Sequence, residues 1–120
     1  MRAKRLLIVD DDEDARFLLG LYFEDLGFEV TATATLAGAI SAIAEASFDA
    51  VVTDLRLPDG HGHALFEGGR PVDIRFAAAL TGLSDPRERD ATLRAGFDAH
   101  YTKPVDMEAL SAAIHARTSA

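Results

Sequence analysis

Two groups of acids in this 120-residue sequence are spaced so that they could do chemistry together. The run Asp10-Asp11-Asp12-Glu13-Asp14 follows directly on the apolar stretch Leu6-Leu7-Ile8-Val9, and a lone acid, Asp54, ends the stretch Ala50-Val51-Val52-Thr53. Short β-branched apolar runs read as buried strands, and the Pro58-Asp59-Gly60 turn signal beyond Asp54 supports that reading. Both acid groups are therefore expected at strand ends. Carboxylates crowded at one point raise one another's pKa and need a counter-charge. A hard divalent cation supplies it, because oxygen-only donors favour Mg²⁺ or Mn²⁺, which keeps several waters and commonly escorts phosphate. Two more expected strand-end residues extend the set: Thr81 offers a hydroxyl and Lys103 an ammonium. Carboxylates, cation, hydroxyl and ammonium around one point make a phosphoryl-transfer site, where positioning and charge neutralisation carry the catalysis. Asp54, alone at its strand end, is the natural acceptor.

For these residues to meet, their strands must be neighbours, and the order of elements predicts that they are. Arg5–Val9 reads as a strand, followed by a helix in which Ala15, Leu18, Leu19, Tyr22 and Leu26 share one face until Gly27. Asp12, Glu13 and Asp14 suit the positive end of that helix. Phe28–Thr33 is a second strand, and Leu36, Ala39, Ile40, Ile43 and Ala44 mark a second helical face. The Asp54 strand comes third. A short third helix around Ala64-Leu65-Phe66 is stopped by Glu67-Gly68-Gly69-Arg70-Pro71. Phe76–Leu80 is the fourth strand, closed by Thr81-Gly82. Asp85 is placed as the N-cap of a fourth helix, with Pro86 at its first position and Glu88 reaching back to the cap. Gly96 closes that helix, whose largest apolar residue is Leu93. Ala99–Thr102 is the fifth strand, and Asp106 caps a last helix with Met107, Leu110, Ala113 and Ile114 on one face. Five strand–helix alternations with short connections predict an α/β fold, a doubly wound (βα)5 sandwich with helices on both faces of a parallel sheet. Right-handed crossovers favour the strand order 2-1-3-4-5, which brings strands 1 and 3 together at a topological switch point.

Composition narrows the function further. The chain has no cysteine, which excludes disulfides, thiolate metal sites and cysteine nucleophiles. A net charge of −8 works against direct binding of nucleic acid or an anionic membrane. The apolar runs are strand-sized and no signal-peptide pattern opens the chain, so a single cytoplasmic domain spanning residues 1–120, without an output domain, is expected.

Leu6 to Asp11, Val51 to Gly60, Leu80-Thr81-Gly82 and Tyr101-Thr102-Lys103-Pro104-Val105-Asp106 together resemble the signature segments of the response-regulator receiver domain of two-component signalling. The resemblance covers nearly the whole chain and implies a flavodoxin-like fold. It implies that Asp54 takes a phosphoryl group from a phosphohistidine, supplied by a histidine kinase or a histidine phosphotransfer domain. It further implies that Mg²⁺ is held by Asp10, Asp11, Asp54 and the backbone carbonyl of Arg56. By the same resemblance Thr81 follows the phosphoryl group, Lys103 pairs with it, and Pro104 is preceded by a cis bond. The output is then a conformational shift of the face made by the fourth helix, fifth strand and fifth helix, read by a downstream protein or a fused module. Such a domain is a signalling receiver, catalysing only its own phosphorylation and dephosphorylation. Gly96-Phe97-Asp98-Ala99-His100 and the Lys103 segment also look similar to receivers fused to hybrid sensor kinases.

The sequence departs from that pattern at one place. Receivers usually carry Tyr or Phe three residues before the lysine as a rotamer switch coupled to the threonine, and here the position is His100, with Tyr101 beside it. Read without a function, His100 is a half-exposed strand residue. His61 and His63 follow a turn among glycines and are expected in a solvated loop, and His115 is expected on an exposed helix face. Two rival functions remain. Asp10-x-Asp12 after a strand fits a small Mg²⁺-dependent phosphatase of the haloacid-dehalogenase type, and His100 fits a non-phosphorylated pseudo-receiver acting only as a binding module.

Overall fold

The strands sort by composition into interior and edge. Three runs, Arg5–Val9, Ala50–Asp54 and Phe76–Thr81, are buried at nearly every residue, as central strands covered on both faces must be. Glu29–Thr33 and Ala99–Thr102 alternate with polar residues, stay half-exposed and form the edges. The structure is a computed structural model that describes residues 3–82 and 85–119. In chain order its elements are β1 (Arg5–Val9), α1 (Glu13–Asp25), β2 (Glu29–Thr33), α2 (Leu36–Glu45), β3 (Ala50–Asp54), β4 (Arg56–Leu57), β5 (Gly60–His61), a 3₁₀ turn (Gly62–Phe66), β6 (Phe76–Thr81), α3 (Pro86–Arg94), β7 (Ala99–Thr102) and α4 (Met107–Thr118). The parallel five-stranded sheet runs β2-β1-β3-β6-β7, and β4 with β5 forms a small antiparallel hairpin beside it. With the hairpin set aside, this is the expected 2-1-3-4-5 order.

Alternation along the strands sends side chains to two cores. Leu6 and Ile8 pack with Leu19, Phe23, Leu110 and Ile114 under α1 and α4. Leu7 and Val9 pack with Leu36, Ala39, Leu65 and Phe66 under α2 and the 3₁₀ turn. Three expectations are corrected here. The third helix is a single 3₁₀ turn, because the glycines after Phe66 end it before an α-helical segment can propagate. On α1 the inward residues are Leu19 and Phe23, while Leu18 is 64% exposed and Leu26 is exposed too. Ile40 likewise faces outward on α2. The α1 segment is apolar most of the way round, so its period does not single out one face.

Four acids fix the ends of helices. Asp12 accepts from Asp14 N and Ala15 N at the start of α1, Asp85 from Arg87 N, and Asp106 from Ala109 N. Asp59, from the loop between β4 and β5, accepts from Leu36 N at 2.8 Å and Ala37 N at 2.9 Å, adding a second cap to α2 beside Thr35. Those two amides hold the Asp59 carboxyl below its usual range.

Candidate functional site

Strand register decides which side chains meet at the carboxyl ends of the sheet. Val9 pairs with Thr53, Asp54 with Leu80, and Thr81 with Thr102. The next residue on each strand is therefore Asp10, Thr81 or Lys103, in a staggered row with Asp54. The row sits at the switch point between β1 and β3, where open α/β sheets bind ligands. A glycine allows the chain to fold over it: Gly62 N donates to Leu55 O at 2.7 Å, and a Cβ at Gly62 would lie 2.6 Å from the Asp54 carbonyl oxygen. The Lys103-Pro104 peptide is cis, as expected.

Asp10 is 1% exposed and Asp54 6%, although both are acids. Their compensation is local. Lys103 Nζ lies 2.6 Å from Asp54 Oδ1 and 3.5 Å from Asp10 Oδ2. Asp10 Oδ1 accepts from Asp12 N at 2.9 Å, and Arg16 donates to the Asp10 carbonyl at 2.8 Å. Burial, and after it the hydrogen bond with Asp10, push the Asp54 carboxyl up to about 7, against the opposing pull of Lys103. The Lys103 ammonium is raised: burial alone would lower it, but Asp54 and Asp10 outweigh that. The Lys103 charge thus does not outweigh the burial of Asp54. Asp10, Asp11 and Asp54 each present an oxygen within 4.8 Å of the others, with Asp11 exposed to solvent. Three carboxylates short of positive charge, with no sulfur or imidazole among them, form a set that fits a hard divalent cation.

Asp12, by contrast, spends its carboxylate on the start of α1. The acid/base partner that a haloacid-dehalogenase reading requires is therefore engaged as a helix cap, away from a reacting group.

The second half of the site lies beyond Thr81, which is 3% exposed. Glu88 does not reach back to cap α3, as the sequence had suggested. Its carboxylate instead lies 3.5 Å from His100 Nε2. Burial would raise the Glu88 carboxyl, but the neighbouring Thr81 hydroxyl, His100 and the charge of Arg56 outweigh it, and the net direction is down. His100 lies half-exposed on the edge strand β7, as expected, but its side chain is turned inward and only 4% exposed. His63 also departs from a solvated loop. Its Nε2 lies 2.7 Å from Thr92 Oγ1, and its ring lies beside His61, tilted, at 4.2 Å between centroids. Burial and the neighbouring His61 hold the His63 ring below its usual pKa. His115 is exposed, against Phe28. Leu93 points outward on α3, and Thr92 is the residue that the helix buries. The roles of Glu88, Thr92 and Asp59 carried no sequence signal beyond helix-end chemistry, because each depends on a partner far away in the chain.

Comparison with known proteins gives a consistent picture. The family profile described as "Response regulator receiver domain" matches residues 6–115. The chain is 36% identical over 104 residues to the 14.6 kDa protein of the sodA1 3' region of Leptolyngbya boryana, covering 84% of this chain and 79% of that one. It is 30% identical to the sensor protein GacS of Pseudomonas syringae pv. syringae, over 92% of this chain and 13% of GacS. It is 31% identical to the transcriptional regulatory protein TorR of Escherichia coli K12, over 88% of this chain and 46% of TorR. The chain thus spans most of the first relative, a small part of the sensor and about half of the regulator. Among solved structures, a two-component response regulator from Clostridium difficile superposes with a TM-score of 0.88 at 26% identity, covering 94% of this chain and 93% of that one. The BeF3-activated DrrB receiver domain superposes with a TM-score of 0.84 at 28% identity, covering 96% and 97%. No helix among the described residues is long and apolar enough to cross a membrane.

Proposed function

The chain belongs to the response regulator receiver domain family, and we propose that Asp54 is the residue on which it accepts the phosphoryl group, with Mg²⁺ as the cation of the acidic cluster. The donor is the phosphohistidine of a histidine kinase or a histidine phosphotransfer domain. In the transfer an Asp54 carboxylate oxygen forms the new P–O bond as the P–N bond breaks, and the departing imidazole nitrogen keeps the electron pair and takes a proton. The observation that carries the assignment is the convergence of Asp10, Asp11 and Asp54 oxygens within 4.8 Å, with Lys103 Nζ 2.6 Å from Asp54.

Each residue has a part set by its charge and place. Asp10, Asp11, Asp54 and the backbone carbonyl of Arg56, two residues past Asp54, would hold Mg²⁺. A cation held there would neutralise the carboxylates and the transferring phosphoryl oxygens. Without that neutralisation the Asp54 carboxyl, held near 7, is largely protonated under mildly acidic conditions and has no charge with which to attack. Lys103 is already placed to pair with a phosphoryl oxygen on Asp54, and Thr81 offers a hydroxyl from the next strand. A phosphoryl group adds roughly one and a half to two negative charges at Asp54. Its new acceptor oxygens draw on Thr81 and Lys103, which begin the loops leading to α3 and α4. The output is a shift of the face formed by α3, β7 and α4, read by a protein target or a fused module. The domain's own chemistry is limited to gaining and losing this group.

The test is intact mass after incubation with acetyl phosphate, with and without Mg²⁺, for the wild type and Asp54→Asn. The expected result is a Mg²⁺-dependent gain of one phosphoryl group that the substitution abolishes. No gain in folded wild type would overturn the assignment.

A further inference from the structure

The loop that leaves Asp54 is tied to two other elements. At its tip, Asp59 accepts from the first amides of α2, Leu36 N and Ala37 N. At its end, His63 Nε2 lies 2.7 Å from Thr92 Oγ1 on α3. Thr92 Oγ1 donates its one proton to the Glu88 carbonyl at 2.8 Å, so the His63 ring supplies the proton of the other bond, from Nε2–H. Thr92 is fully buried and is the only residue that α3 buries, so the bond reaches the helix at its one anchor. The near end of this tether stands on the backbone of the acceptor. Gly62, next to His63, donates to Leu55 O at 2.7 Å, and a Cβ there would lie 2.6 Å from the Asp54 carbonyl oxygen. Between Asp54 and Gly62 runs Arg56, whose carbonyl belongs to the proposed cation set. His63 therefore bridges the acceptor loop and α3 outside the sheet.

We propose that His63 is a positioning residue whose bond to Thr92 holds the loop over Asp54 in the form that binds the cation, and so links occupation of the acidic cluster to the placement of α3. The proposal rests on that cluster being the cation site. The hairpin in the loop has little hold of its own: β4 and β5 are two residues each, and Gly60 and His61 are exposed. A ligand carbonyl on so short a hairpin is only as well placed as the contacts that fix the hairpin, and groups behind the ligands commonly govern metal affinity. With the tether made, the Asp10, Asp11 and Asp54 oxygens already lie within 4.8 Å of one another, so the tethered arrangement is the binding one. Coupling of this kind runs both ways. If α3 steadies the loop, a cation that fixes the loop steadies α3 in turn. The helix has one buried side chain, so a single bond to that side chain has the leverage to do this.

The test is a double-mutant cycle on Mg²⁺ affinity, measured by titration calorimetry, with amide hydrogen exchange of α3 as the second readout. Saturable Mg²⁺ binding by the wild type that Asp10→Asn abolishes establishes the cation site separately, and its absence would overturn that site and this proposal with it. With the site in place, His63→Leu and Thr92→Val are each expected to weaken Mg²⁺ binding about fivefold, the worth of one hydrogen bond. The double variant should lose no more than either alone. His63→Gln, which keeps an N–H donor at similar reach, is expected to stay within about twofold of the wild type. Mg²⁺ should slow exchange of the α3 amides in the wild type and in His63→Gln, and leave it unchanged in His63→Leu. General loosening of the fold would not give that pattern, because the two substitutions would then add. Additive losses, an unchanged affinity in His63→Leu, a loss in His63→Gln as large as in His63→Leu, or equal slowing of α3 by Mg²⁺ with and without His63 would each overturn the proposal.

Discussion

The two halves of the site are built on different foundations. Asp10, Asp54 and Lys103 stand at the ends of β1, β3 and β7. The first two of these strands lie in the fully buried centre of the sheet, and the charges oppose one another at 2.6 to 3.5 Å. Glu88 of α3 meets His100 of β7 near Thr81 at the end of β6, and α3 is a helix whose only buried residue is Thr92. The half around Asp54 is therefore held by the core itself, and the other half by a few contacts to a lightly anchored helix. A domain that must keep its chemistry fixed while its surface changes needs that division, because the elements that move come from the low-stability part of a fold.

The strongest way to break the comparison is to disturb the rigid half. Gly62→Ala places a Cβ 2.6 Å from the Asp54 carbonyl oxygen, a backbone atom that cannot move aside as a side-chain end would. The expected cost is about 3 kcal/mol of stability, with slower phosphoryl uptake, measured by urea unfolding and acetyl phosphate labelling. Unchanged stability would mean that the loop over Asp54 yields easily and that the rigid half is not rigid.

Charge in the same half gives a pH signature. In the metal-free protein the Asp54 carboxyl is held near 7 against 3.8 for an ordinary aspartate. Between those values the folded chain binds more protons than the unfolded one, so unfolding free energy falls as pH rises through that window and levels above it. Asp54→Asn should flatten this decline, and saturating Mg²⁺ should remove it in the wild type. Urea midpoints at about pH 5 and about pH 8 read the effect, and a wild type that gains stability across the window would contradict it.

The half around α3 is sharpened by Thr92→Val. It removes the hydroxyl that bonds both the Glu88 carbonyl and His63, at an expected cost of about 1 to 2 kcal/mol. Amide hydrogen exchange should quicken in α3 and stay as slow as before in β1 and β3. Equal quickening in both would show that the two halves share one foundation. The smallest expected effect is at Leu18→Ser, less than about 0.5 kcal/mol, because that side chain is exposed.

The convergence of Asp10, Asp54 and Lys103 was legible in the sequence almost entirely. Here apolar runs ending in acids marked buried strand ends, and the strand order brings 10, 54 and 103 together. The half around α3 was legible only poorly, for a physical reason. Glu88 sits three residues after an N-cap aspartate, where local chemistry predicts a capping box, yet its carboxylate lies beside His100 of β7 instead. Which face of α1 turns inward was illegible for a related reason. Leu18, Leu19, Leu21, Tyr22 and Phe23 surround the helix with apolar surface, and only the shape of the second core selects Leu19 and Phe23. His63 could not be placed either, since the hydroxyl that holds it is twenty-nine residues further on.

The account turns on which carboxylate becomes the acyl phosphate, and one measurement reads that directly. Borohydride reduces an aspartyl phosphate to homoserine, so acetyl phosphate and Mg²⁺ followed by borohydride and peptide mass spectrometry marks the acceptor. The expected result is homoserine at position 54 alone. Homoserine at position 10, 11 or 12, or none in a sample that has gained phosphate by intact mass, would contradict the assignment of Asp54.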